Sequence, residues 1–168
     1  MSSIFADASV LVAGAGSRTG ASRAVLVMAE IGLYRLVVCR QVLDEAERNL
    51  RKKLPGALPV FAELMAAIGP EILPDPSSEE VGRWQSVIEL KDAPILAAAV
   101  TAAPDRFLTL DVKNFIEPAH VAEKSGLRIE TPAEFVQAIR ALVEEGLSQP
   151  GESPIEHPDE GTMQTESV

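Results

Sequence analysis

The chain has 168 residues, enough for one domain, and is 46% apolar with five Phe, one Trp and one Tyr, so its core must be aliphatic. A net charge of −10 argues against simple, non-specific nucleic-acid binding, and the single cysteine, Cys39, excludes an internal disulfide and fits a reducing compartment. No basic region precedes an apolar core at the N-terminus, and the longest apolar stretch, residues 93–103, is broken by Pro94 and Thr101, so a soluble, cytoplasmic protein without signal peptide or membrane span is expected.

Taken in chain order, Ser3–Ala6 reads as a short buried strand ending at Asp7. A glycine-rich stretch, AGAGSRTG, follows and is expected to form a flexible loop; residues 21–32 then have helical periodicity. Residues 34–39, YRLVVC, form a strand rich in β-branched residues. A charged amphipathic helix over 41–53 is stopped by Leu54-Pro55-Gly56, another covers 57–68, and Glu71–Leu73 is a brief extended piece. Ser77 to Glu80 fits a capping box that opens a helix through residue 89. Asp92 is placed to cap a helix running to about residue 103, with Pro94 tolerated in its first turn. Residues 106–110 form a strand ending at Asp111, and 127–130 another. Thr131-Pro132-Ala133-Glu134 is a second capping box, opening a helix to about residue 145.

From Gly146 onward Pro, Gly, Ser and acids replace periodicity. The expected organisation is one domain over 1–145 and an acidic, disordered tail over 146–168. That tail carries five acids and no Lys or Arg, which leaves 20 acids against 15 bases, or −5, on the body. Strands alternating with helices predict a three-layer α/β/α sandwich with a mostly parallel central sheet, whose ligands bind outside the carboxyl ends of the strands.

Four acids fall at that rim. Asp7 and Asp111 follow strands, Asp92 opens a helix, and Glu45 lies one turn into the helix after the second strand. Singly, each has an ordinary explanation: Asp92 a helix cap, Asp111 a turn, Asp7 a loop start, and Glu45 a solvent-facing acid like its neighbours Asp44 and Glu47. Together, with no basic partner provided in the adjoining sequence, they would repel one another unless a cation sat between them. Hard oxygen ligands without His or Cys suit Mg²⁺ or Mn²⁺, and metal held by carboxylates is a machinery of phosphodiester cleavage.

Four segments in this order, IFADASVLVAG, VVCRQVLDEAERNL, KDAPILAAAV and FLTLDVKNF, resemble a PIN domain, the nuclease fold of VapC toxins and related toxin–antitoxin proteins. The resemblance covers about residues 3–138. It implies a PIN-like fold and an acidic quartet, Asp7, Glu45, Asp92 and Asp111, that binds Mg²⁺ or Mn²⁺ and cleaves RNA. It also implies supporting roles for Ser9 and for Thr109 of the Thr-x-Asp element, a homodimer, and a cognate antitoxin as partner. The chain departs from the pattern at Cys39, where relatives often have the Ser or Thr that caps the second helix. It departs again at Asn114, where many have a further Asp, which bears on whether one metal or two would bind.

Arg18, Arg23, Arg48 and Arg51 are candidates to contact RNA phosphates, although bases closing a helix such as Arg48, Arg51, Lys52 and Lys53 also serve simply to offset its dipole. The main rival reading is NAD(P) binding: VLVAGAGSRTG followed by a helix, a strand and Arg40 resembles the first βαβ unit of a Rossmann enzyme. Against it, the spacing Gly14-x-Gly16-x-x-x-Gly20 is one residue too long, and little chain remains for a substrate domain. The one tyrosine, Tyr34, also has no lysine four residues on. A catalytically silent PIN scaffold for protein binding is the other rival, and it has no reason to keep four repelling acids. His120 and His157 read as surface and tail residues, and Trp84 as core or interface.

Overall fold

The computed structural model describes residues 1–148. Five strands form one sheet in the order β3-β2-β1-β4-β5: β1 (Ser3–Ala6), β2 (Arg35–Cys39), β3 (Glu71–Leu73), β4 (Arg106–Leu108) and β5 (Ile129–Glu130). Every pairing is parallel, with Ile4 opposite both Leu36 and Arg106, and Phe107 opposite Ile129. All of β1 and the last four residues of β2 are buried. That explains why these strands are continuous apolar runs rather than alternating ones.

Helices cover both faces, so the expected three-layer α/β fold holds and its sheet is wholly parallel. Between β1 and β2 lie α1 (Ala8–Gly16) and α2 (Ala21–Glu30). Between β2 and β3 lie α3 (Arg40–Lys53), a 3-10 turn (Pro55–Ala57) and α4 (Leu58–Ile68). These four pack on one another, and α8 (Pro132–Ser148) joins them against α2. The chain then crosses back over the sheet through α5 (Ser78–Gly82) and α6 (Ala93–Ala102), which right-handed crossover places on the opposite face. A π-helical turn (Val112–Ile116) and α7 (Ala119–Ser125) connect β4 to β5. Among the described residues, no helix is long and apolar enough to cross a membrane.

Several expectations are corrected. The segment VLVAGAG is neither strand nor loop but most of α1, and Asp7 starts that helix by accepting the Ala8 amide. Gly14 lies inside α1, where a Cβ would sit 2.4 Å from Leu26 Cδ1 and 3.2 Å from the Ser22 carbonyl. Glycine there lets α1 and α2 approach closely and forms no phosphate cradle, which removes the strand–glycine–helix unit on which the dinucleotide reading rested. The helix opened by the Ser77–Glu80 capping box forms as expected but ends at Gly82, well short of 89. The strand expected over 106–110 ends at Leu108, because Thr109 and Leu110 turn toward the acids. The last helix continues through Ser148, three residues beyond the expected domain boundary; the remainder of the acidic tail, with His157, lies outside the described residues.

Three phenylalanines brace the sheet where the acids emerge. Phe5 meets Phe107 edge-on at 5.3 Å, and Phe107 meets Phe115 at 5.1 Å. Phe115 belongs to the π-helical turn, so this stack anchors the turn that begins at Asp111 to the centre of the sheet. Trp84 packs against the core, as expected.

Candidate active site

In a right-handed parallel fold the helices run antiparallel to the strands, so helix N-termini and strand C-termini share one rim. Asp7 leaves β1 there, Thr109 and Asp111 leave β4, and α3 and α6 begin there. Asp7 is the centre of the arrangement. It is buried, and its Oδ2 accepts from Thr109 Oγ1 at 2.7 Å and from Ser9 Oγ at 3.1 Å. Its Oδ1 accepts from the Ala8 amide at 2.6 Å. Burial pushes the Asp7 carboxyl above its usual range against the pull of these donors, and the nearby Asp111 adds to the rise.

Thr109 and Ser9 both hydrogen-bond Asp7. The fully buried Thr109 hydroxyl donates to Asp7 and accepts the Asp111 amide at 3.0 Å, so it fixes one acid relative to the next. Ser9 Oγ likewise donates to Asp7 and accepts the Leu110 amide at 3.1 Å, tying α1 to the end of β4. Asn114 donates from Nδ2 to Asp111 Oδ2 at 3.0 Å, while its backbone amide reaches Oδ1 at 3.3 Å. Asn114 thus holds the last acid in place.

Asp92 behaves differently from an ordinary cap. It occupies the N-cap position of α6, yet its backbone is helical and its side chain accepts no hydrogen bond from the helix. Its Oδ2 is buried and, among the described residues, has no hydrogen-bond partner. The carboxyl is pushed up to about 6, first by burial; Lys91 opposes the rise, and Asp111, Asp7 and Glu89 add to it. Glu45 is half-buried and raised too, by burial and then by the charge of Asp7, whereas Asp44 and Glu47 are exposed. Of the three acids on that stretch of α3, Glu45 is the one turned toward the site.

Lys91, which the sequence reading passed over, approaches Asp92 Oδ2 at 3.7 Å and Glu89 at 4.0 Å. The acids therefore do have basic neighbours, Lys91 beside Asp92 and Arg48 beside Glu45. Lys91 is well exposed, so its attraction is screened by water and leaves Asp92 raised. The missing cap on α3 is as expected: Cys39 makes no side-chain cap bond, and Asp75 accepts the Gln41 amide at 2.9 Å from outside the helix instead.

The donor chemistry fits a hard divalent cation: carboxylates only, mutually destabilising, with one oxygen lacking any partner. The arrangement is open, however. Among the described residues no three His, Cys, Asp or Glu side chains stand as a ready ligand set. Asp7 and Asp111 spend part of their oxygen capacity on protein donors, and each ionised oxygen retains a further lone-pair site.

The four candidate arginines separate. Arg23 donates from Nε to the Gly14 carbonyl and from Nη2 to Ala15 O at 3.4 Å, closing the end of α1, so most of its donors serve the fold. Arg51 pairs with Glu47 at 3.3 Å on the exposed side of α3. Arg18 and Arg48 are exposed, and Arg48 is close enough to pull on the Glu45 carboxyl. Arg18 opens on a cleft of about 360 Å³ lined also by Leu54 and Val60. A second cleft of about 480 Å³ runs from Ser9, beside Asp7, past Ser17 and Asn49 to Lys53. In the sequence Asn49 gives no signal and Lys53 reads only as a base closing its helix, because nothing in one dimension says that the end of α3 faces α1.

No protein-family model matches the chain, and no curated protein matches it in sequence. Solved structures do match. PAE2754 from Pyrobaculum aerophilum is 17% identical, with a TM-score of 0.58 over 83% of this chain and 90% of its own. VapBC2 from Rickettsia felis, crystallised bound to a DNA fragment from its promoter, is 13% identical, with a TM-score of 0.56 over 77% of this chain and 98% of the matched one. At such identities the likeness shows the fold: a PIN-like α/β domain with a single parallel sheet.

Proposed function

We propose that the protein is a divalent-metal-dependent ribonuclease that hydrolyses RNA phosphodiester bonds, using Mg²⁺ or Mn²⁺ held by Asp7, Glu45, Asp92 and Asp111. One observation carries the reading. Asp92 is a half-buried carboxylate whose Oδ2 has no hydrogen-bond partner among the described residues, raised to about 6 first by burial, with Lys91 opposing the rise and Asp111 and Asp7 adding to it. A fold gains nothing from that arrangement, whereas a cation between the acids would stabilise it. When bound, the ion would supply an activated water and offset charge on the phosphate. The chain's own residues do the rest. Thr109 and Ser9 orient Asp7, Asn114 orients Asp111, and Asp92 can hold a proton at Oδ2 that cation binding displaces. Exposed Lys91 and Arg18, with Lys53 lining the cleft that starts at Ser9, would be available to phosphates.

The PIN-like fold and the VapBC2 neighbour support a narrower role: the toxin of a toxin–antitoxin pair, homodimeric and bound by a cognate antitoxin. Purified protein should cut RNA with Mn²⁺ or Mg²⁺ and stop with EDTA. Asp7→Asn and Asp92→Asn should each abolish cleavage, and activity surviving both would overturn the site. Co-purification with the product of an adjacent small reading frame tests the toxin role separately.

A further inference from the structure

Beside the acids lies a second feature that the nuclease reading leaves unused. A notch of about 240 Å³ is lined by Ser86, Ile88, Glu89, Asn114, Pro118 and His120. It adjoins the site on two sides. Asn114 is bonded to Asp111, and Glu89 is near enough to Asp92 to raise its carboxyl. His120, which reads as a plain surface residue in the sequence, places Nε2 2.8 Å from the Val87 carbonyl. It thereby ties the segment leading to Asp92 onto α7.

We infer that this notch is a nucleobase subsite, taking one unstacked base of a single-stranded RNA next to the scissile phosphate. The inference rests on the ribonuclease reading above. Its volume is below the roughly 300–1,000 Å³ of pockets that enclose whole small ligands, so it suits one nucleobase rather than a whole nucleotide. Ile88 and Pro118 supply apolar surface for the ring face. The polar rim is mostly accepting. Glu89 is a carboxylate, and the Val87 carbonyl can only accept, so it is His120 Nε2 that donates to it. Among the described residues Asn114 Oδ1 makes no hydrogen bond, while its Nδ2 serves Asp111. An accepting rim selects a base with an exocyclic amino group, as adenine, cytosine and guanine have and uracil lacks.

The test is equilibrium binding of fluorescent hexamers rA6, rC6 and rU6 to the full-length protein in EDTA, which reads recognition without turnover. The subsite should favour rA6 or rC6 over rU6 by roughly tenfold. Glu89→Ala with Ser86→Ala, both at exposed positions where folding is not at stake, strips the acceptors these two side chains offer and should cut that preference to about twofold or less without weakening rU6 binding. Equal affinity for the three hexamers, or a preference that survives both substitutions, overturns the subsite. Binding and Mn²⁺-dependent cleavage without preference would remove the subsite alone. A preference in a protein that never cleaves RNA would instead remove the ribonuclease reading and leave the subsite standing. Absence of any RNA binding would remove both.

Discussion

Replacing Asp92 by Asn should make the metal-free protein more stable at neutral pH while abolishing its chemistry. A rise from 3.8 to about 6 corresponds to about 3 kcal/mol of preference for the protonated carboxyl in the folded state. Because the folded pKa lies above the unfolded one, that stability is fully present below pH 3.8 and is lost as pH rises through about 6. At pH 7.5 the wild-type fold therefore carries an ionised carboxylate whose Oδ2 has only the exposed Lys91 nearby, at 3.7 Å. The neutral amide has the same shape and avoids that penalty. It forgoes only the 3.7 Å approach of an exposed lysine, and it still lacks a full set of hydrogen bonds. A net gain of about 2 kcal/mol remains, worth roughly 4–8 °C in Tm for a domain this size.

The assay is urea and thermal unfolding of both proteins from pH 4 to 8 in EDTA, repeated with Mn²⁺. Wild type should lose stability between pH 4 and 6.5 more steeply than the variant; Asp7 and Glu45, raised in the same direction, leave part of the slope in both. Metal at a hundred times its Kd should return about 2.7 kcal/mol to wild type and much less to Asp92→Asn. Equal stability of the two proteins at pH 7.5, or a variant less stable than wild type, would refute the idea that Asp92 is held at the expense of the fold.

Two further outcomes test the frame around the acids. Thr109→Val should destabilise the protein by about 2–4 kcal/mol, since it removes a hydrogen bond to a carboxylate and leaves the Asp111 amide unpaired, whereas Thr109→Ser should recover most of the loss in the same denaturant titration. Gly14→Ala should cost about 1–3 kcal/mol in thermal unfolding, because the new methyl group would sit 2.4 Å from Leu26 Cδ1 against a backbone carbonyl that cannot retreat.

The parts of the fold legible in the sequence were those with one-dimensional signatures. Strands buried on both faces appeared as apolar runs, and both capping boxes formed: Ser77 with Glu80, and Thr131 with Glu134. Helix α1 was hidden because it is buried nearly all round, so it shows no amphipathic stripe, and its terminal glycines imitate a loop. A signal was present in Asp7, an acid directly ahead of a nine-residue apolar run. Helix α7 was missed although Pro118 precedes it and Gly126 ends it at φ 70°, the usual proline-before, glycine-after asymmetry on a segment only seven residues long. At the site, residue type and order picked out the acids, while Ser9, Thr109 and Asn114 drew notice only through the PIN-domain resemblance. Type and order could not separate Glu45 from Asp44 and Glu47, nor show that Arg23 is bonded to carbonyls of α1, because those distinctions depend on which way a helix is turned.

Three of the four acids sit at the start of a helix or helical turn, and the sequence treats them alike. The structure does not. Asp7 accepts the first amide of α1 and two hydroxyls, and Asp111 accepts the Asn114 amide, so each has a structural reason to be acidic whether or not metal binds. Asp92 has none: its cap is unmade and one oxygen is bare. Function should therefore be separable from stability across the set. Asp7→Asn also removes a raised charge, yet it replaces one acceptor oxygen by a donor facing the Thr109 and Ser9 hydroxyls, so its gain at pH 7.5 should fall short of that of Asp92→Asn by about 1 kcal/mol or more. Both substitutions should nonetheless abolish metal-dependent cleavage. Parallel denaturant titrations giving Asp7→Asn the larger gain would mean that the hydroxyl network does not compensate Asp7, and the distinction between a structural acid and a bare ligand would fall with it.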